Sequence, residues 1–175
     1  MSDPGDTVFY GALDSPIGAV FVALAGDEVA ALSFTSRSEA DFSGELSSLV
    51  SRPVARSDKT LEPVIRELRE YFEGKRKKFS FSPAISGRTG FQERVLTAAM
   101  SIPYGQTRTY GWLASRSGSP RAARAAGQVM AHNTVPIIIP CHRVIGSTGR
   151  LCGFAGELRA FDIKRTLLAI EGVRV

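Results

Sequence analysis

The sequence predicts an α/β chain of the α+β kind. A small N-terminal sheet-and-helix domain is followed by a mostly helical domain with a winged-helix-like helix-turn-helix. Three observations lead there. Short apolar runs of strand length, separated by Gly, Pro and Asp turns, fill the first 34 residues. Ser, Pro and Gly then concentrate in residues 79–90, as in a linker. Beyond them, apolar residues recur at helical spacing. The expected division is 1–80 as a scaffold domain, 81–90 as linker and 91–175 as a second domain, and 175 residues are enough to bury a core in each.

Residues 8–13 and 19–25 read as strands around the turn Asp14-Ser15-Pro16-Ile17-Gly18, and Gly26-Asp27 leads into a third strand over 29–34. Together they predict an antiparallel meander. Residues 36–51 are polar, with Phe42, Leu46, Leu49 and Val50 as sparse apolar positions, which fits a short helix; 54–57 fits a further strand. Over 61–72, Leu61, Val64, Ile65, Leu68, Tyr71 and Phe72 follow the i, i+3, i+4, i+7 pattern of an amphipathic helix. Gly74 stands at its C-terminal cap, and Lys75-Arg76-Lys77-Lys78 reads as a solvated cluster suited to a helix C-terminus.

In the second half, Thr89 and Gln92 have the spacing of a capping box for a helix that presents Phe91, Val95, Leu96, Ala99 and Ile102 to a core, ended by Pro103-Tyr104-Gly105. Thr109 is the expected N-cap of a short helix from Tyr110 to Arg116, which Gly118 breaks. Ser119-Pro120 then reads as the N-cap and first position of a second helix. Its residues Ala122, Ala126, Val129 and Met130 face inward, while Arg121, Arg124, Gln128 and His132 form an outward stripe. Such a stripe on the second helix of a helix-turn-helix suits DNA docking; the plainer reading is a solvated surface helix. Asp162 is the expected cap of a last helix ending at Glu171-Gly172.

Charge divides unevenly along the chain. Residues 1–88 hold 11 Lys/Arg against 13 Asp/Glu, a balance of −2, whereas residues 89–175 hold 11 against 4, a balance of +7. A basic second half points to a polyanionic partner. No apolar run approaches the roughly 18 residues that span a bilayer. The acidic start Met1-Ser2-Asp3-Pro4-Gly5-Asp6 is unlike a secretory signal, and the cysteines Cys141 and Cys152 have no disulfide-framework spacing. A reducing cytoplasm is the compartment these features predict.

The chemistry gathers at Pro136-Ile137-Ile138-Ile139-Pro140-Cys141-His142-Arg143. An apolar run bounded by prolines reads as a stiff, buried segment, so the thiol after it is held in place. A cysteine attacks as its thiolate and needs a base; His142 is one of only two histidines, and Glu171 is an acid at an apolar helix end. A Cys141–His142–Glu171 relay is chemically sufficient. Neighbours in an extended strand point to opposite faces, so the chain must turn at Cys141 or a water must bridge the pair. The alternative is an inert buried thiol. A zinc set of His132, Cys141, His142 and Cys152 matches no common ligand spacing, and no metal is expected.

Pro140-Cys141-His142-Arg143-Val144, with Asn133 eight residues before the cysteine and Leu167-Leu168-Ala169-Ile170-Glu171-Gly172 near the end, resembles the O6-alkylguanine-DNA alkyltransferases. Arg121-Ala122-Ala123-Arg124-Ala125-Ala126-Gly127 and Thr109-Tyr110-Gly111 extend the resemblance, which covers residues 89–175 closely and the first half loosely. It implies direct, irreversible transfer of an alkyl group from O6 of guanine in double-stranded DNA to the protein's own cysteine, without a cofactor. O6-methylguanine is the main expected substrate and O4-methylthymine a second one. Cys141 then resembles the acceptor, His142 the water-linked base, Glu171 its orienter and Asn133 the buttress of the active-site turn. Tyr110 resembles the tyrosine that helps flip the nucleotide and protonates guanine N3, and Arg124 the finger that fills the gap. Val144, through its backbone, with Phe154 and Ala155 resembles the guanine pocket; Arg121 and Gln128 are expected DNA contacts.

The sequence departs from the family pattern at Phe154, Ala155 and Gly156-Glu157, and in a few extra residues before Leu167-Leu168. Some relatives hold zinc in the first domain, but residues 1–88 contain no cysteine or histidine, so none is expected here. The expectation is a monomeric cytoplasmic protein associated with the nucleoid. Its rivals are a binding-only relative, which would lack the cysteine, a sequence-reading regulator, and a thiol hydrolase that turns over.

Overall fold

The structure, a computed structural model, describes residues 6–151 and 159–174. The chain divides into two compact units, Met1–Ala84 and Ile85–Val175. The mixed α/β class expected from the sequence is the class observed, with a sheet in the first unit and helices dominating the second.

In the first unit, β1 (Val8–Ser15), β2 (Gly18–Ala25) and β3 (Glu28–Ser33) form the antiparallel meander, with Val8 opposite Ala25 and Phe21 opposite Ser33. Two short parallel strands complete the sheet: β4 (Val54–Arg56) on β1 and β5 (Ser82–Pro83) on β3, in the order β4-β1-β2-β3-β5. Ser82 and Pro83 thus belong to the sheet although they fall in the stretch expected to be linker. Pro83 has no N–H to give, which an edge strand tolerates, and Ala84 N donates to Val29 O at 2.9 Å instead.

Helix α1 (Glu39–Leu49) covers one sheet face, where Phe42 and Leu46 pack on Val8, Phe21 and Ala23 and the Phe21 and Phe42 rings stack 5.4 Å apart. Helix α2 (Asp58–Phe72) covers the other face, and Gly11 lets it come close: a Cβ there would stand 3.4 Å from Leu61 and Ile65. Covered on both sides, β2 is buried from Val20 to Leu24 without alternation. The expected start of α2 at residue 61 is corrected to Asp58, because Ser57 caps it by accepting from Thr60 N at 3.3 Å. Its end is as expected: Gly74, at φ 71, donates to Tyr71 O, and Lys75 N reaches Glu70 O at 2.8 Å. The basic run beyond is partly neutralised, with Arg76 paired to Glu67 and Glu70 and Lys75 to Glu73.

In the second unit, the Thr89–Gln92 capping box opens α3 (Gly90–Met100), which buries Val95, Leu96 and Ala99. A turn at Pro103–Gln106 leads to β6 (Arg108–Thr109) and then α4 (Tyr110–Arg116), capped by Thr109 Oγ1 accepting from Trp112 N at 3.1 Å. Gly118, at φ 76, ends that helix as expected. The second helix of the pair, α5 (Ala123–Ala131), begins later than predicted. Ala122 N donates to Ser119 O at 2.9 Å, so Ser119-Pro120-Arg121-Ala122 closes a turn before the helix and Arg121 lies in that turn. The inward and outward faces of α5 are nonetheless as expected: Ala126, Val129 and Met130 are buried, and Arg124, Gln128 and His132 are exposed. After a 3-10 turn at Cys141–Arg143, β7 (Val144–Ile145) pairs in parallel with β6, and α6 (Arg159–Ile170) closes the unit. Asp162 therefore lies inside the first turns of α6 instead of capping it, paired with Arg165 at 3.3 Å.

Candidate active site

The apolar run from 135 to 140 is buried as predicted, but it is folded into turns and not extended. Ile139 N donates to Val135 O at 3.0 Å, and Ile137 takes φ 74 while 1% exposed. A buried β-branched residue at positive φ is strained and stays there only because its surroundings fix it. Pro140, at φ −80 and ψ 64, makes an inverse γ-turn that brings Cys141 N to 2.7 Å from Ile139 O. Asn133 braces the same loop: its Nδ2 donates to Ile139 O at 3.0 Å and its Oδ1 accepts from Val135 N at 3.0 Å.

Cys141, His142 and Arg143 then form one 3-10 turn, with Arg143 N donating to Pro140 O at 3.0 Å. Of the two options open in the sequence, the chain does turn at the cysteine. Cys141 is 4% exposed and His142 is wholly buried. The His142 imidazole Nε2 lies 2.7 Å from Glu171 Oε1, so the predicted pairing of these two residues is present in the geometry.

Glu171 is surrounded by donors. Arg143 Nε lies 2.9 Å from Oε2 and Arg143 Nη2 3.0 Å from Oε1, and Gly105 N donates to Oε2 at 2.9 Å. Arg143 Nη1 also reaches Ile102 O at 2.7 Å, and its guanidinium stands 5.8 Å from the Tyr104 ring centre. Burial pushes the carboxyl up, but the hydrogen bond from His142, the Arg143 fork and the Gly105 N–H outweigh it and hold Glu171 at about 2. An ionised carboxylate can only accept, so His142 Nε2 carries the hydrogen and Nδ1 is the ring's basic atom.

Burial lowers the His142 pKa, opposed by Glu171 and aided by Arg143 and Lys164, so the ring is neutral. Burial raises the Cys141 thiol, against the hydrogen bond from Asn133 and the charge of Lys164. The resting forms are therefore a thiol at Cys141 and a neutral imidazole at His142.

Three contributors were not foreseen. Lys164 is fully buried and donates to Val144 O at 2.5 Å; it shares one helical stripe with Leu167, Leu168 and Glu171, and that spacing is the signal that could have found it. Gly105, read only as a helix stop, takes φ 75, and a Cβ on it would stand 3.0 Å from Glu171 O. Arg143 was read only as part of the motif, although a charge within an apolar run already demands a buried partner.

The remaining predicted residues fall as follows. Val144 is buried in β7, directly after the turn. Thr109 pairs with Ile145, which sets the following Tyr110 beside the active-site strand; its half-buried ring packs on Gly127 of α5, 3.6 Å from where a Cβ would be. Arg121, Arg124 and Gln128 are exposed. Phe154, Ala155, Glu157 and Cys152 lie outside the described residues. His132 is exposed on α5, with Nδ1 2.8 Å from Gln128 O, and the described residues hold no cluster of three or more metal-ligating side chains. No helix among them is long and apolar enough to cross a membrane.

Fold and site together define a protein with a buried cysteine mounted on a turn in the same unit as a helix-turn-helix. The comparisons with known proteins agree. The DNA-binding domain profile of 6-O-methylguanine DNA methyltransferase matches residues 90–173, and that enzyme's ribonuclease-like domain profile matches residues 8–83. The chain belongs to this family. It is 39% identical to the methylated-DNA–protein-cysteine methyltransferase of Methanosarcina acetivorans over 165 residues, covering 94% of this chain and 99% of that one. The crystal structure of Mycobacterium tuberculosis O6-methylguanine methyltransferase superposes with a TM-score of 0.79 at 35% identity, over 96% of this chain and 94% of that one. The M. tuberculosis protein in complex with DNA does so at 0.77 and 35%, over 93% and 92%.

Proposed function

We propose that this chain takes an alkyl group, chiefly methyl, from O6 of guanine in double-stranded DNA and keeps it on Cys141 Sγ, one event per molecule. The observation that carries this reading is the buried Cys141 turn with His142 held 2.7 Å from an ionised Glu171. O6 lies inside the stacked duplex, so the base must be extruded, at a cost of a few kcal/mol that protein contacts offset. In this reading Tyr110 assists the flip, Arg124 fills the vacated space, and Arg121 and Gln128 contact the DNA. The Val144 backbone with Phe154 and Ala155 receives the base.

The transfer balances. His142 Nδ1 takes the thiol proton, the sulfur attacks the alkyl carbon in line, and the S–C bond forms as the O6–C bond breaks. The electron pair stays on guanine, which gains a proton at N3 from Tyr110, and the protein is left with a thioether that has no route back to thiol. O4-methylthymine presents a similar alkyl oxygen and is the second substrate. The protein acts as a monomer in the cytoplasm, associated with the nucleoid, where a reduced thiol and DNA meet.

Intact-mass measurement after mixing with a duplex containing O6-methylguanine tests the reading. One methyl per molecule is expected, located at Cys141 and abolished in Cys141→Ser. Repeated loss of the lesion per protein molecule would overturn it.

A further inference from the structure

We propose that Arg143 is a positioning residue for the transfer: its guanidinium fork holds Glu171 as a pure hydrogen-bond acceptor and thereby keeps His142 a neutral base with Nδ1 as its basic atom. The inference rests on the reading that His142 accepts the Cys141 proton.

The geometry is specific. Arg143 is 7% exposed, lies on the same 3-10 turn as Cys141 and His142, and reaches both oxygens of Glu171 with Nε and Nη2, at 2.9 and 3.0 Å. Nη1 is tied separately to Ile102 O at 2.7 Å, so the fork cannot rotate away. A carboxylate paired with imidazole alone favours the imidazolium, because the ion pair then forms between those two groups. With a guanidinium already neutralising Glu171, the same carboxylate orients the ring without drawing a proton onto it. Arg143 also repels a second positive charge directly, one of the influences that lower His142.

The charged and titratable groups that act on His142 or share its turn come from two elements. Cys141 and Arg143 share its turn; Lys164 and Glu171 come from α6 and the residue that follows it. Glu171 is the carboxylate among these described residues, so removing Arg143 leaves it free to charge the imidazole.

The test is the pH dependence of the single-turnover transfer rate for the intact protein and two variants. Arg143→Met keeps bulk and loses the charge; Arg143→Lys keeps the charge and loses the fork. In wild type the rate should hold steady below pH 6.5, the ordinary histidine value, before it falls. In Arg143→Met the acid limb should move up by about one pH unit, so that at the wild-type midpoint the rate falls by about 5-fold. Arg143→Lys should be slower than wild type but keep its acid limb near the wild-type position. An equal slowing at every pH in Arg143→Met, with the limb unmoved, would mean a structural role only and would sink the inference while leaving the transfer reading intact.

If the variants do not fold, nitrogen-15 NMR of the wild-type imidazoles decides. His142 should be the Nε2–H tautomer and stay neutral at pH 6.5, the ordinary histidine value. A His142 already half-protonated at that pH, or in the other tautomer, would overturn the proposal.

Discussion

At the scale of single residues the site is a problem of where charge can sit in a buried volume. Glu171 is held at about 2, against an ordinary value of 4.5, so its ionised form is tied to the folded state. The sign follows directly. Above pH 4.5 the folded and unfolded chains both carry the carboxylate and its stabilisation is fully present. As pH falls from there towards 2 the unfolded chain takes up the proton first, and up to about 3 kcal/mol is lost. His142 acts in the same direction: its lowered pKa means that the unfolded chain gains a proton earlier as pH drops below 6.5. Denaturant midpoints measured against pH should therefore fall steadily on the acid side. Glu171→Gln should be about 3–5 kcal/mol less stable at neutral pH, because Arg143 is left buried without its counter-charge. That variant should also lose most of the acid dependence between pH 4.5 and 2; the same slope in both proteins would show that Glu171 is not the group responsible.

At the scale of elements, the local signals were legible and the long-range ones were not. The Thr89–Gln92 box and the Thr109 cap are closed by hydrogen bonds three residues away, so sequence spacing alone reveals them. Ser119-Pro120 misleads for a physical reason: proline's fixed φ suits both a first helical position and the second position of a turn, and packing decides between them. The pairing of His142 with Glu171 was readable from chemistry, since a base needs an orienter. Its support was not, because Gly105 and Glu171 are 66 residues apart in the chain yet bonded at 2.9 Å. That contact makes the turn between α3 and β6 part of the site. Gly105→Ala combines a positive φ of 75 with a Cβ placed 3.0 Å from Glu171 O. A loss of about 1–3 kcal/mol in stability is expected, with a slower transfer rate. Gly118→Ala shares the positive φ, at 76, but has open space around its Cβ, so it should cost stability without slowing transfer. Equal effects of the two on the transfer rate would contradict a positioning role for the turn.

At the scale of the whole molecule, charge and chemistry share one half of the chain. The first unit spends its apolar surface on a sheet covered by a helix on each face, which explains its near-continuous buried strand β2. Of its two parallel edge strands, β4 falls within the stretch 54–57 read as a strand, whereas the two-residue β5 was not legible, because so short a segment carries no period. Residues 89–175 carry the +7 balance, 11 Lys/Arg against 4 Asp/Glu, together with Cys141 and the exposed arginines of α5 and the turn before it. A partner that is a dense array of phosphates should then be held mainly by counterion release, with the logarithm of the binding constant falling linearly with the logarithm of salt. Arg121 and Arg124 separate under this test. If Arg121 contacts the DNA backbone as proposed, Arg121→Ala should lower the salt slope by about one and weaken binding alike on damaged and undamaged duplex. If Arg124 fills the vacated stack as proposed, Arg124→Ala should slow transfer from a paired lesion far more than from one opposite an abasic gap, where less stacking must be replaced. If instead both substitutions change only the salt slope, and transfer from paired and gapped duplexes slows equally, α5 serves merely as a basic surface and the base leaves the helix by some other means.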